Sequence, residues 1–151
     1  MNDILSLLET GSIQIKPKGY SMYPLFIPGR DYAIINKAEF SKLKRGDVIL
    51  YRRVNSILVL HRICRITKNG IYTVGDNQTQ VEGPLYETQV KGILTGIIRN
   101  GHEFSVRHPL YRFFSMLWLT LRPVRRPISL FVAGLKKLGK YITSLKSGLT
   151  K

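Results

Sequence analysis

The feature that most constrains this chain is a train of short apolar, β-branched runs broken by turn residues. Residues 12–16, 32–36, 48–54, 57–67, 71–74, 90–99 and 103–106 each read as a strand, rich in Ile, Val, Leu, Tyr and Thr. Asn69-Gly70 and Asn100-Gly101 fall between consecutive runs, and Asn-Gly is a strong hairpin signal because both residues tolerate positive φ. Val54-Asn55-Ser56-Ile57 makes another short connection. Connections this short join antiparallel neighbours, since parallel strands need a long crossover. The expected body is therefore mainly β, a curved antiparallel sheet or barrel. Residues 78–87, polar and holding Gly83-Pro84, read as a loop, and residues 2–8 as a short helix ended by Thr10-Gly11.

Charge divides the chain in two. Residues 1–106 carry fourteen Lys and Arg against nine Asp and Glu, a balance of +5, whereas residues 107–151 carry ten Lys and Arg and no acid. The tail also changes in pattern. Residues 110–121 are almost wholly apolar, Arg122-Pro123 to Arg126-Pro127 breaks any helix, and apolar residues then recur at helical spacing from Ile128 to Leu145. The expectation is a body of residues 1–106 and a basic helical appendage of residues 107–151. A membrane span needs about 20 apolar residues, more than either tail segment offers. An interfacial anchor on an anionic membrane is one reading of the tail, and packing on the sheet is the other. Residues 1–18 hold no apolar run of seven or more, so no export signal is read there. Location at the cytoplasmic face of a membrane is the corresponding expectation.

The single Cys64 excludes an internal disulfide, and no Walker loop, zinc-ligand spacing or dinucleotide fingerprint is present. No cofactor or metal is expected. What the chain offers for chemistry is one serine, one histidine and one aspartate in shaped settings. Ser21 lies in Gly19-Tyr20-Ser21-Met22-Tyr23-Pro24, where the glycine and proline rule out a regular helix or a central strand. His61 ends the apolar run Ile57-Leu58-Val59-Leu60, and Asp76 stands in the turn Gly75-Asp76-Asn77 after a short strand. A serine hydroxyl is a weak nucleophile at neutral pH. It needs a base within hydrogen-bond reach, and the base needs an orienting partner. Each residue alone reads equally well as a turn serine, a core histidine or a loop aspartate.

Taken in order, GYSMYP, KRGDVILY, LVLHRICRI, VGDNQ and VKGIL resemble the type I signal peptidase superfamily of serine proteases over roughly residues 11–100. Most bacterial members carry lysine at the position of His61. The archaeal and endoplasmic-reticulum branch carries histidine there, and this chain resembles that branch. The resemblance implies a curved signal-peptidase-like sheet with Ser21 as nucleophile, His61 as general base and Asp76 as orienter. Asp47, in the Arg45-Gly46-Asp47 turn, reads as structural. The chain departs from the family pattern at Arg30, inserted between Gly29 and Asp31. It departs again at Gly19, where some relatives place an oxyanion-binding serine, so the oxyanion hole must rest on backbone N–H groups, chiefly that of Ser21. Tyr20, Met22 and Tyr23 are candidates to line the substrate pocket, with core or rim positions as the alternative.

The function so implied is a serine endopeptidase that removes a signal or leader segment from a peptide or preprotein, cutting after small residues. A self-cleaving repressor-type protease is a rival, but such proteins use a lysine base behind a DNA-binding domain. The other rival is a module on a degenerate protease scaffold that binds membrane or nucleic acid. Nucleic acid is the weaker of those partners.

Overall fold

A computed structural model describes Leu8 and residues 11–54 and 57–121. They form eight strands and one helix: β1 (Ile13–Ile15), β2 (Tyr32–Lys37), β3 (Val48–Arg52), β4 (Leu58–Thr67), β5 (Gly70–Val74), β6 (Val81–Leu85), β7 (Val90–Arg99), β8 (His102–Ser105) and α1 (Pro109–Thr120). The strands make one sheet in the order β1-β2-β7-β3-β4-β5-β6, with β8 on β7, and each pairing is antiparallel. The sheet is open rather than closed, with β1 and β6 at its edges, so the barrel alternative does not hold. The helix expected at residues 2–8 falls almost wholly outside the described residues. The breaker at 122–127 and the second tail helix at 128–145 fall wholly outside them.

Strand β3 shows how the core is laid out. Val48 and Leu50 enter one apolar cluster with Met22, Phe26, Ile35, Leu60 and Leu94, while Ile49 and Tyr51 enter a second with Leu43, Ile63, Ile71 and Leu85. Successive strand residues point to opposite faces, so a strand covered on both sides is a continuous apolar run rather than an alternating one. Strand β6 is the element that reads as a loop in the sequence. Gly83-Pro84 lies inside it, and proline is tolerated there because β6 is an edge strand with one side unpaired.

Helix α1 turns Ser115 and Leu119 inward. Met116 lies against Gly46, where a Cβ would come within 2.8 Å of its sulfur, and the backbone at Gly46 has φ +96°. The positive φ demands glycine, and the sulfur would have to shift for a Cβ. The Trp118 indole N–H donates to the Asp76 carbonyl at 3.0 Å. The compact unit accordingly runs from Met1 to Leu119, and Thr120–Lys151 clusters separately. The change in charge at residue 107 therefore precedes the end of the compact unit. Among the described residues no helix is long and apolar enough to cross a membrane.

Candidate active site

The loop between β1 and β2 carries Ser21. Its ends are pinned by burial: Met22 and Phe26 insert into the core, and the Phe26 N–H donates to the Met22 carbonyl at 2.9 Å. Asp31 closes the loop from the other side. Its buried carboxylate accepts the Ile27 N–H at 2.9 Å, the Arg30 Nε–H at 2.6 Å and the Arg99 guanidinium at 2.9 Å. Burial alone would raise the Asp31 pKa, but these donors outweigh it and hold the carboxyl well below the usual range. The inserted Arg30 is thus part of the clamp. Met22 is a core residue and not a pocket wall, whereas Tyr20 and Tyr23 are exposed at the rim. Gly19 faces open space.

The serine loop is docked on the turn after β5. The Asn77 N–H donates to the Ser21 carbonyl at 2.7 Å. A Cβ on Gly75 would sit 2.6 Å from that same carbonyl oxygen, so glycine is required for the approach. Val74, just before the turn, pairs with Arg62, the residue after His61. The sheet in this way brings the Ser21 backbone, the Gly75-Asp76-Asn77 turn and the His61 segment of β4 into one neighbourhood. The Ser21 hydroxyl makes no hydrogen bond among the described residues, and the side-chain hydrogen bond of His61 is to Tyr51 and not to Ser21.

His61 is fixed by register. Ile49 pairs with His61 and Tyr51 with Val59, which sets Tyr51 and His61 diagonally on one face. The imidazole is 1% exposed, and its Nδ1 lies 3.1 Å from the Tyr51 hydroxyl. That hydroxyl donates its single proton to Glu82 Oε2 at 2.8 Å. Glu82 is ionised: Arg53 binds it and pulls its pKa below the ordinary carboxylate value. A carboxylate can only accept, so the tyrosine must donate to Glu82 and its oxygen must accept from His61. The network therefore places the His61 proton on Nδ1 and leaves the lone pair on Nε2. Burial lowers the His61 pKa below 6.5, partly opposed by the nearby Glu82 charge, so the ring is neutral at neutral pH. Burial likewise raises the Tyr51 pKa well above the ordinary phenol value, keeping it a neutral donor.

The side chain within hydrogen-bond distance of His61 Nδ1 is Tyr51, and the Asp76 carboxylate is turned to Arg62. Asp76 directs both carboxylate oxygens at Arg62, which donates from Nε at 2.8 Å and from Nη2 at 2.7 Å while its Nη1 binds the Gly46 carbonyl. Arg62 and Asp76 are both buried. Asp76 acts on His61 through its charge, and the hydrogen bond at Nδ1 comes from Tyr51, backed by Glu82 with Oε1 3.6 Å from the ring nitrogen. Sequence reading missed both residues. Tyr51 looks like one more apolar strand residue, and Glu82 sits in the stretch that reads as a loop. The available signal was that Glu82 is the only acid between Asp76 and Glu87. Asp47 is structural as expected: its carboxylate accepts the Lys44 N–H at 2.8 Å and its carbonyl accepts the Ile63 N–H.

No family model matches this chain, and no curated protein matches it in sequence.

Proposed function

We propose that the chain is a serine endopeptidase of the signal-peptidase type, with Ser21 as nucleophile and His61 as general base. The observation that carries this reading is the assigned tautomer of His61: a buried, neutral imidazole with its proton held on Nδ1 and its lone pair on Nε2. That is the state a base must be in before it can take a serine proton. Ser21 Oγ attacks the peptide carbonyl carbon as its proton passes to Nε2. The C–N bond then breaks, and the leaving amine carries that proton away. Water attacks the resulting ester, gives a proton to Nε2, and the serine recovers it as the acid product departs. In this reading the Ser21 N–H serves as oxyanion donor. Tyr51 and Glu82 take the orienting role, since a carboxylate behind Nδ1 stabilises the imidazolium formed in each step. The substrate class that fits the reading is a signal or leader segment bound extended at a strand edge.

The test is a fluorophosphonate probe on the full chain. Labelling of the wild type that is lost in Ser21→Ala and sharply slowed in His61→Gln supports the reading. A wild type that does not label is not a serine hydrolase, and the fold then serves as a binding scaffold.

A further inference from the structure

Helix α1 is apolar on two faces, and only one of them is used by the sheet. The inner face carries Ser115 and Leu119. The outer face carries Leu110, Phe113, Phe114 and Leu117, at i, i+3, i+4 and i+7, which is one continuous stripe. Leu110, Phe113 and Phe114 are 61, 62 and 63% exposed, and Leu117 is also open. A helix that is apolar all round is normally buried all round, and a monomer rarely leaves four large apolar side chains in one open stripe.

We propose that this outer face of α1 docks into the surface of an anionic lipid bilayer, the helix lying in the interface and not crossing it. Charge selects this occupant. Residues 107–151 hold ten Lys and Arg and no acid. A second copy of the chain would bring the same uncompensated positive charge against the first, and like charges at close range repel. Nucleic acid would satisfy the cations and leave the Phe and Leu stripe in water. An anionic bilayer meets both needs at once: the stripe enters the acyl boundary and the cations meet the headgroups. The proposal does not depend on the protease reading, but it bears on that reading. Trp118 holds the Asp76 carbonyl, and the next residue, Asn77, holds the Ser21 carbonyl. The helix that meets lipid is therefore bonded to the turn on which the serine loop is docked.

Co-sedimentation of the full chain with vesicles tests it, using phosphatidylcholine alone and phosphatidylcholine with phosphatidylglycerol. The wild type should bind the anionic vesicles, more weakly in high salt but not to zero, because apolar insertion is unscreened. Phe113→Ser with Phe114→Ser should lower that partitioning roughly tenfold or more while the thermal midpoint holds, since both rings point away from the core. As a second variant, Phe114→Trp should add indole emission that brominated acyl chains quench, beyond any quenching of Trp118 in the wild type. The proposal is overturned if the wild type ignores anionic vesicles, if the double variant binds as well as the wild type, or if the added emission of Phe114→Trp is untouched by brominated lipid. Dimerisation through the stripe without vesicle binding, or binding to duplex DNA in place of vesicles, overturns it equally.

Discussion

His61 and Arg62 are neighbours on β4 that face opposite sides of the sheet, and the two sides handle charge differently. On one, each nitrogen of Arg62 has a partner: Asp76 takes Nε and Nη2 and the Gly46 carbonyl takes Nη1, all inside the protein. The bonds to Asp76 outweigh the burial that would lower the Arg62 pKa, so it stays charged. On the other side, His61 is saturated at one nitrogen only, by a tyrosine backed by a carboxylate. A buried group whose partners are all supplied can only hold a structure together. A buried group with one lone pair left over can take a proton. The contrast separates the two acids that follow β5: Asp76 is bonded to Arg62, and in the proposed mechanism Glu82 is the one behind the base.

The largest expected effects fall on the adjacent pair itself. His61→Gln should lower kcat/KM on the order of 10⁴-fold or more, because nucleophile and base act as a unit, and should leave the unfolding midpoint nearly unchanged. Arg62→Met should do the reverse in kind, taking the guanidinium away from the buried Asp76 carboxylate at a cost of about 3–5 kcal/mol of stability. Denaturant unfolding and peptidase assays on both variants measure it. If Arg62→Met folds normally and is inactive, the division between the two faces is wrong.

The next comparison sets Asp76→Asn against Glu82→Gln. Asp76→Asn removes the carboxylate that compensates Arg62 and should lower the unfolding free energy by several kcal/mol, on the order of the buried-pair cost. Glu82→Gln removes the charge behind Tyr51, reverses the direction in which the tyrosine can donate, and so allows the wrong His61 tautomer. A loss of roughly 10²-fold in kcat with little change in KM is expected, smaller than the loss at the base itself. Equal stability losses in both variants would erase the distinction.

How far the site was legible in the sequence follows from the same geometry. Ser21 and His61 stand out as candidates in the sequence because each is at a local discontinuity: a serine held between Gly19 and Pro24, a histidine closing an apolar run. The strands were legible for a related reason, since their β-branched runs and Asn-Gly turns are local signals. Tyr51 and Glu82 were not legible, because what brings them to His61 is register. Only the pairing of β3 with β4 sets Tyr51 beside His61, and only the edge strand β6 brings Glu82 to them. The pairing of Asp76 with Arg62 was not legible for the same cause. The turn of Asp76 is recognisable in sequence, but nothing local says that Arg62 will claim both of its oxygens. The contact of α1 with the turn before β3 is equally non-local, since Met116 lies against Gly46, seventy residues away.

The pH dependence gives a smaller and signed test. Burial holds the folded His61 pKa below the ordinary 6.5, while the unfolded chain has the ordinary value. Above 6.5 the ring is neutral in both states and its contribution to stability is fully present. Below 6.5 the unfolded chain takes up protons first, so stability falls with pH until the folded pKa is passed. The acid limb of kcat/KM should accordingly lie below pH 6.5. Glu82 raises the His61 pKa, so Glu82→Gln should move that limb to still lower pH. A limb that moves upward in the variant would show that Glu82 does not act on His61.

The smallest effect belongs to Tyr51→Phe, and it is the sharpest probe of how the orienting pair works. The hydroxyl stands between Nδ1 and the carboxylate, but Glu82 Oε1 is already 3.6 Å from Nδ1. Removing the hydroxyl lets the carboxylate close that gap and accept the Nδ1 proton directly, which preserves the tautomer. A loss in kcat of less than about tenfold is expected, together with about 1 kcal/mol of stability for the lost buried hydrogen bond. The double variant Tyr51→Phe with Glu82→Gln should be no worse in kcat than Glu82→Gln alone, because without the carboxylate the tyrosine has nothing to pass on. The two substitutions would then be strongly non-additive, and a double-mutant cycle on kcat measures this directly. If Tyr51→Phe costs more than Glu82→Gln, the tyrosine itself is the orienting group and the carboxylate only supports it.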